Sequence, residues 1–129
     1  MSDFLASNSM IMLNRAVNFQ WTKQQALLNN ISNAETPNYK VKYVTFEEAL
    51  RSSIRQAAQP GSPVSMRSAI SGSIPVIHVA RDESARMDEN GVNVAEQSIE
   101  MVRNAYQMQY TYRAINSDMS RLMTAIRGQ

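Results

Sequence analysis

The chain has no cysteine, a single histidine, a single tryptophan, three phenylalanines and four glycines in 129 residues. Each shortage removes a class of chemistry. Without cysteine there are no disulfides, thiolate metal sites or thiol nucleophiles. The glycines Gly61, Gly72, Gly91 and Gly128 stand alone, so no glycine-rich loop is present to cradle a phosphate. His78 lies in the short apolar run Val76-Ile77-His78-Val79, with no serine or carboxylate at motif spacing. A single-histidine metal site needs clustered carboxylate helpers, so a structural or surface role is expected for this ring. No stretch approaches the ~20 apolar residues of a membrane span. The start Met1-Ser2-Asp3-Phe4 lacks the basic region and apolar core of a cleavable signal. Charge of one sign is also scarce. The formal net charge is +2, and the basic residues are scattered rather than gathered in a stripe, which argues against nucleic-acid binding.

What is present is methionine and helical periodicity. Nine methionines give adaptable apolar side chains suited to helix interfaces. Towards the C-terminus, Met101, Ala105, Met108, Tyr112, Ile115, Met119, Leu122 and Ile126 follow alternating steps of four and three. That is a heptad seam, and it predicts a long helix from about Val94 to Ile126. Asn93 with Glu96 resembles a capping box. Glu96 and Glu100 near the start, and Arg121 and Arg127 near the end, complement the helix dipole. Gly128 supplies a stop.

A second helix is predicted from about Ser9 to Ala34. Its seam is Met10, Leu13, Val17, Gln20, Gln24, Leu27 and Ile31, with two glutamines in the middle that weaken packing and fix register. Trp21 and Leu28, one heptad apart, form an adjacent apolar line suited to a second partner. Alone in water such a helix frays, because its stability comes mostly from packing.

Between the helices the pattern shortens. Pro37 disfavours helical geometry at Thr36, and Thr36-Pro37-Asn38-Tyr39 reads as a tight turn with Asn38 in the left-handed position. Tyr39 to Val44 is β-like. Thr45-Phe46-Glu47-Glu48 reads as a capping box opening a short helix with Phe46, Leu50, Ile54 and Ala57 on one face. Residues from Gln59 to Pro75, rich in proline, glycine and serine, read as loop, Val76–Val79 as a short strand and Asn90-Gly91 as a turn. The pairs Asp82-Glu83 and Asp88-Glu89 flank Arg81 and Arg86 in a polar stretch. They read as a solvated loop rather than an acid–base pair. Tyr106, Tyr110 and Tyr112 have no basic cluster around them and read as interface residues rather than a stacking platform for bases.

The fold class is therefore mainly α. Two long terminal helices are expected to pair as an antiparallel coiled coil around a partly irregular middle with a short helix and minor β. Three regions are expected: 1–36 as an N-terminal helical assembly segment, 37–92 as a middle turn and loop region, and 93–129 as a C-terminal coiled-coil helix.

One segment is more specific than periodicity. Asn30-Ile31-Ser32-Asn33-Ala34-Glu35-Thr36-Pro37-Asn38-Tyr39-Lys40 resembles N-I-A-N-x-x-T-P-G-Y-K, the N-terminal signature of flagellar rod, hook and related axial proteins. Asn30, Ile31, Asn33, Thr36, Pro37, Tyr39 and Lys40 match it; Ser32 and Asn38 replace alanine and glycine. Asn90-Gly91-Val92-Asn93-Val94, Glu100-Met101, Asn104 and Thr124-Ala125-Ile126 resemble the proximal rod members of that family. The resemblance implies a structural subunit, not an enzyme, with no cofactor, metal or small-molecule substrate. It implies export through the flagellar type III apparatus without a cleaved signal, and assembly into the basal-body rod of the bacterial envelope. Its implied partners are further copies of itself, other rod proteins, membrane-ring and rod-base adaptor proteins and the export apparatus. The expected assembly residues are Leu13, Val17, Trp21, Leu27, Leu28, Ile31, Met101, Met108, Tyr112, Ile115, Met119, Leu122 and Ile126, with Met101, Met108, Ile115, Met119 and Leu122 facing Leu13, Val17, Leu27 and Ile31. Two other readings of the residues alone are a helical adaptor that lays one amphipathic helix in a partner's groove, and a small enzyme or metal protein using His78.

Overall fold

The computed structural model describes residues 7–80 and 92–128. The Met1–Phe4 start, the acid pairs at 82–83 and 88–89 with Arg81 and Arg86, and the Asn90-Gly91 turn lie outside the described residues. The elements in chain order are α1 (Asn8–Ser32), β1 (Lys42–Thr45), α2 (Glu47–Ala57), α3 (Met66–Gly72), β2 (Val76–Val79) and α4 (Val94–Arg127). The protein is mainly helical, with long helices at both ends and a minor two-stranded sheet, as the sequence leads one to expect.

Local chemistry sets the ends of the long helices. Ser7 caps α1, its hydroxyl accepting from the Met10 N–H at 3.1 Å. At the other end Asn33 donates from its side chain to the Asn29 carbonyl at 2.8 Å, and the Ala34 N–H turns back to the Ile31 carbonyl. The helix thus closes at Ser32, two residues before the boundary drawn from the sequence. The Asn93 side chain accepts from the Glu96 N–H at the start of α4. Gly128, at φ 70°, ends that helix by donating to the Thr124 carbonyl.

The predicted turn is present. The Tyr39 N–H donates to the Thr36 carbonyl at 3.2 Å, and Asn38 adopts φ 58°. Asparagine substitutes well for glycine there because its short polar side chain tolerates the left-handed region. The chain then enters β1, which pairs antiparallel with β2 in the register Lys42↔Val79, Tyr43↔His78, Val44↔Ile77 and Thr45↔Val76. The Tyr43 and His78 rings, directly opposite, stack at 5.1 Å.

Two sequence expectations in the middle are corrected. No capping box forms at Thr45. Phe46 occupies the cap position of α2 without a side-chain cap, and the Thr45 hydroxyl instead lies 2.7 Å from His78 Nε2. The cross-strand partner, invisible in sequence, wins that hydroxyl. The segment from Gln59 to Pro75 is also not all loop. It contains α3, capped by Ser65, whose hydroxyl accepts from the Ser68 N–H at 3.1 Å. The prolines at 60, 63 and 75 bracket α3 rather than interrupt it. Burial of Ala69 and Ile70 against α1 and α2 stabilises a helix too short to stand alone.

α1 is the spine. It packs along α4 and also carries β1 and α3. Phe19 of α1 stacks on buried Phe46 at 5.3 Å, which seats the start of α2. The buried apolar set is small: Ala26, Leu27, Phe46, Ala69, Ile70 and Val92. Asn38→Val should lower stability by about 1–2 kcal/mol, the cost of a left-handed L-residue without local polar support, while Asn38→Gly should be close to neutral. Urea denaturation midpoints of the three chains check this.

Candidate assembly surface

The hydrogen bonds between α1 and α4 define how the helices meet. Ser9 Oγ donates to Asp118 at 2.9 Å, Gln20 Nε2 to Thr111 Oγ1 at 2.9 Å, Asn104 Nδ2 to Gln24 Oε1 at 2.8 Å, and Asn30 Nδ2 to Gln97 Oε1 at 2.8 Å. Numbers rise on α1 as they fall on α4, so the helices run antiparallel. A second donor bond from Asn104 goes to the Gln20 carbonyl at 2.9 Å.

These bonds correct the predicted C-terminal seam. Met101, Met108, Ile115 and Leu122 are half-buried, as a seam requires. The alternate positions are not Ala105, Tyr112, Met119 and Ile126. Those four are exposed, Ile126 to 70%. Their place on the inward side is taken by Asn104, Thr111 and Asp118, one residue back from Ala105, Tyr112 and Met119, with Gln97 one heptad earlier. Asn104 and Thr111 are buried. Counting apolar residues alone selects the wrong half-line, because paired amides and hydroxyls satisfy each other and enter the seam. The available signal was a seven-residue repeat of hydrogen-bonding side chains at 97, 104, 111 and 118. The pairing is incompletely satisfied: among the described residues, buried Gln20 Oε1 and Asn104 Oδ1 have no partner. Each such acceptor costs about 1–3 kcal/mol, so the seam specifies register at the expense of strength.

The signature segment is organised by Asn30, which is fully buried. Its Nδ2 donates to the Lys42 carbonyl at 2.7 Å as well as to Gln97. Its Oδ1 accepts from the Lys42 N–H at 2.9 Å and from the Tyr39 hydroxyl at 3.2 Å. In an antiparallel pair, backbone groups of alternate residues point away from the partner strand. The Asn30 amide meets the outward pair of β1 at Lys42 as a neighbouring strand would. Burial pushes the Tyr39 phenol up from its ordinary value. Thr36 Oγ1 donates to Asn33 Oδ1 at 3.2 Å just ahead of the exposed Pro37. Lys40 is exposed beside the turn. The signature residues therefore shape how the chain leaves α1; sequence reasoning found them but missed their partners Lys42 and Gln97.

The remaining candidates sort by side. Leu27 is buried, and Leu13, Val17 and Ile31 are half-buried. Trp21 and Leu28 are exposed to 50% and 46%, and Trp21 Nε1 donates to Tyr112 Oη at 3.1 Å. That bond joins two apolar lines into one flank. On α1 the positions three or four apart on the Trp21 side are Met10, Asn14, Val17, Trp21, Gln25, Leu28 and Ser32. On α4 the Tyr112 side carries Val94, Ser98, Ala105, Tyr112, Asn116, Met119, Met123 and Ile126. None is charged. Arg15, Lys23, Glu96, Glu100, Arg103, Arg113, Asp118 and Arg121 fall elsewhere on the helices, and Arg127, one turn beyond Met123, stands at the very end of α4. Among the described residues, six apolar side chains are buried whereas seventeen large apolar ones are exposed. A chain of this kind has more apolar surface than its own fold covers, and such patches mark association sites.

The opposite side of the pair is charged. Glu100 receives Lys23 at 3.0 Å and also pairs with Arg103. The Lys23 hydrogen bond, followed by the charges of Lys23 and Arg103, holds the Glu100 carboxyl below its usual range against the opposing effect of burial. Among the described residues no acid, histidine or cysteine cluster could hold a metal, and no helix is long and apolar enough to cross a membrane.

The terminal helices thus form an antiparallel pair with one exposed flank of apolar and uncharged polar residues. No protein-family model matches the chain. The chain is 30% identical over 107 residues to the flagellar basal body rod protein FlgB of Bacillus subtilis, covering 82% of this chain and 83% of that one. It is 26% identical over 117 residues to the FlgB of Aeromonas hydrophila, covering 88% and 89%, and 29% identical over 118 residues to that of Cereibacter sphaeroides, covering 84% and 85%. The chain belongs to the flagellar basal body rod protein FlgB family.

Two outcomes are expected. Asn30→Ala strands the Lys42 N–H and carbonyl and Gln97 Oε1, so stability should fall by roughly 3 kcal/mol, with loss of hydrogen-exchange protection at the Lys42 amide. Glu100 has a lowered folded pKa, so its contribution is present above its ordinary value near 4.5 and is lost as pH falls through the lower folded value. For this partly exposed pair the contribution is about 0.2–1 kcal/mol. Glu100→Gln should remove it at pH 7 and flatten the acid limb of the urea midpoint against pH.

Proposed function

We propose that this protein is a structural subunit of the bacterial flagellar basal-body rod, in its proximal part, and that it works by packing its terminal helices against neighbouring subunits. The observation that carries the reading is the uncharged flank centred on Trp21, Leu28, Tyr112 and Met119, in a chain of the FlgB family. An enzyme concentrates polar groups with shifted pKa values in a pocket. Here the shifted carboxylate lies in a salt bridge between helices, and the conspicuous surface is apolar and extended.

In this reading α1 and α4 form an antiparallel coiled coil that builds the inner tube. The buried amides fix its register, and the flank meets the next subunit. Repetition of one unlike-to-unlike contact gives an open helical array, suited to transmitting torque from the membrane ring to the hook. The chain travels through the flagellar type III export apparatus without a cleaved signal and assembles in the envelope, across the periplasmic space. Its neighbours are further copies, other rod proteins and the adaptors that join the rod base to the membrane ring. Small buried apolar content and orphan acceptors in the seam suit a chain that must be threaded unfolded and ordered by its neighbours.

Trp21→Glu and Met119→Glu alter exposed positions and should leave a helical, soluble chain by circular dichroism. Each should abolish swimming and remove the chain from isolated basal bodies. Wild-type swimming with both variants would overturn the proposal.

A further inference from the structure

The small sheet has two outer edges, and they are treated differently. The Ala80 N–H donates to the Val41 carbonyl at 2.9 Å, which makes Val41 and Ala80 a hydrogen-bonded pair. Alternation along an antiparallel ladder then assigns the other pairs of the register. Tyr43 with His78 and Thr45 with Val76 turn their backbone groups towards each other. Lys42 and Val44 on β1, and Ile77 and Val79 on β2, turn theirs outward. On β1 the Asn30 carboxamide takes both groups of Lys42. On β2 no described residue does the same for Ile77 or Val79, and the sheet stops at two strands. Native proteins blunt an open edge with charge, proline, a bulge or a covering element. Among the described residues β2 has none of these. Val76-Ile77-His78-Val79 contains no acid, lysine, arginine or proline, its register is unbroken, and Ile77 and Val79 are 56% and 49% exposed.

We propose that this edge receives an extended segment of a neighbouring protein in the basal body, added antiparallel to β2, with an apolar residue beside Ile77 and a carboxylate beside Val79. This rests on the rod reading and names a contact made by the middle of the chain rather than by its terminal helices. The outward N–H and carbonyl groups of Ile77 and Val79 supply the hydrogen bonds, as in other strand additions. The charge requirement comes from Lys42. It stands directly across from Val79, so the two side chains share one face of the sheet. The ion pairs among the described residues are Lys23–Glu100, Arg103–Glu100 and Arg121–Asp118, and none involves Lys42. Strands lie about 4.8 Å apart, so a lysine stem can pass over Val79 and bring its ammonium to a carboxylate on the added strand. A second β2 is the poorer occupant. Antiparallel pairing of two copies through Ile77 and Val79 centres on His78 and sets Ile77, not an acid, beside Val79. It is also two-fold, so it closes as a dimer instead of extending an array.

Hydrogen exchange on the natural chain and a small set of substitutions test this. In the isolated chain the amides of Ile77 and Val79 should exchange rapidly, and that of His78, held by Tyr43, slowly. In isolated basal bodies all three should be slow. Ile77→Pro removes an outward donor that β1 does not use, a change that edge strands accept. It should keep the chain helical by circular dichroism and lose swimming, whereas Ile77→Thr, which retains the N–H, should swim normally. Lys42→Glu leaves the backbone bonds to Asn30 in place and should also lose swimming, with Lys42→Arg normal; this pair decides the matter if Ile77→Pro does not fold. Rapid exchange of Ile77 and Val79 in basal bodies would overturn the proposal and leave the rod reading intact, since the chain is then present there. Slow exchange of both in the isolated chain would show the edge already filled and would overturn it too. Normal swimming of a folded Ile77→Pro chain, or of Lys42→Glu, has the same consequence. Because the chain has no cysteine, a disulfide-linked dimer of His78→Cys in oxidised basal bodies would reveal β2 paired with itself, again overturning the proposal. Absence of the natural chain from wild-type basal bodies would remove the rod reading, and this contact with it.

Discussion

The carboxamide of Asn30 makes every hydrogen bond available to it, and the bonds reach three parts of the fold. Two go to the backbone of β1 at Lys42, one to the side chain of Gln97 on α4, and one comes from the Tyr39 hydroxyl in the connecting turn. Each partner is held only if the others are in place. The end of α1, the direction in which the chain leaves it, the edge of the small sheet and the register of α4 are thereby one arrangement. A two-stranded sheet has little stability of its own. Its outward edge at Lys42 is completed here by a side chain acting as a third strand.

The rest of the helix pair follows the same logic with less complete satisfaction. Asn104, Gln20, Gln24 and Thr111 tie the long helices together through amides and a hydroxyl, while Gln20 Oε1 and Asn104 Oδ1 have no partner among the described residues. Hydrocarbon in those positions would pack more strongly and slide more easily. The buried amides instead hold one register. What the seam forgoes in apolar burial reappears on the surface, where Trp21, Leu28, Tyr112, Met119 and Met123 are left half-exposed along one uncharged side. A weak internal pairing and a strong external face belong together in a subunit whose final environment is other subunits.

Much of this was legible in the residue order. Both long helices, the caps of α4, the turn at Thr36–Tyr39 with its left-handed Asn38 and the strand at Val76–Val79 follow from local chemistry: periodicity, capping side chains, proline and glycine. The family signature pointed to the same residues that the fold organises around Asn30. The errors share one cause. The half-seam through Ala105, Tyr112, Met119 and Ile126, the capping box at Thr45 and the absence of α3 all came from judging a residue by its neighbours in sequence.

Backbone preferences act over a few residues, so the sequence by itself determined that two long amphipathic helices stand at the ends of the described chain, where α4 is capped and where the turn at Thr36–Tyr39 falls. Tertiary structure alone decided which side of each helix faces inward. That choice turns on whether a polar group finds its complement, and the complements of Asn30, Asn104 and Thr45 lie 67, 80 and 33 residues away at Gln97, Gln24 and His78. Satisfying those groups moved one half-line of the α4 seam back by one residue, to Asn104, Thr111 and Asp118, and left the bare flank on the outside.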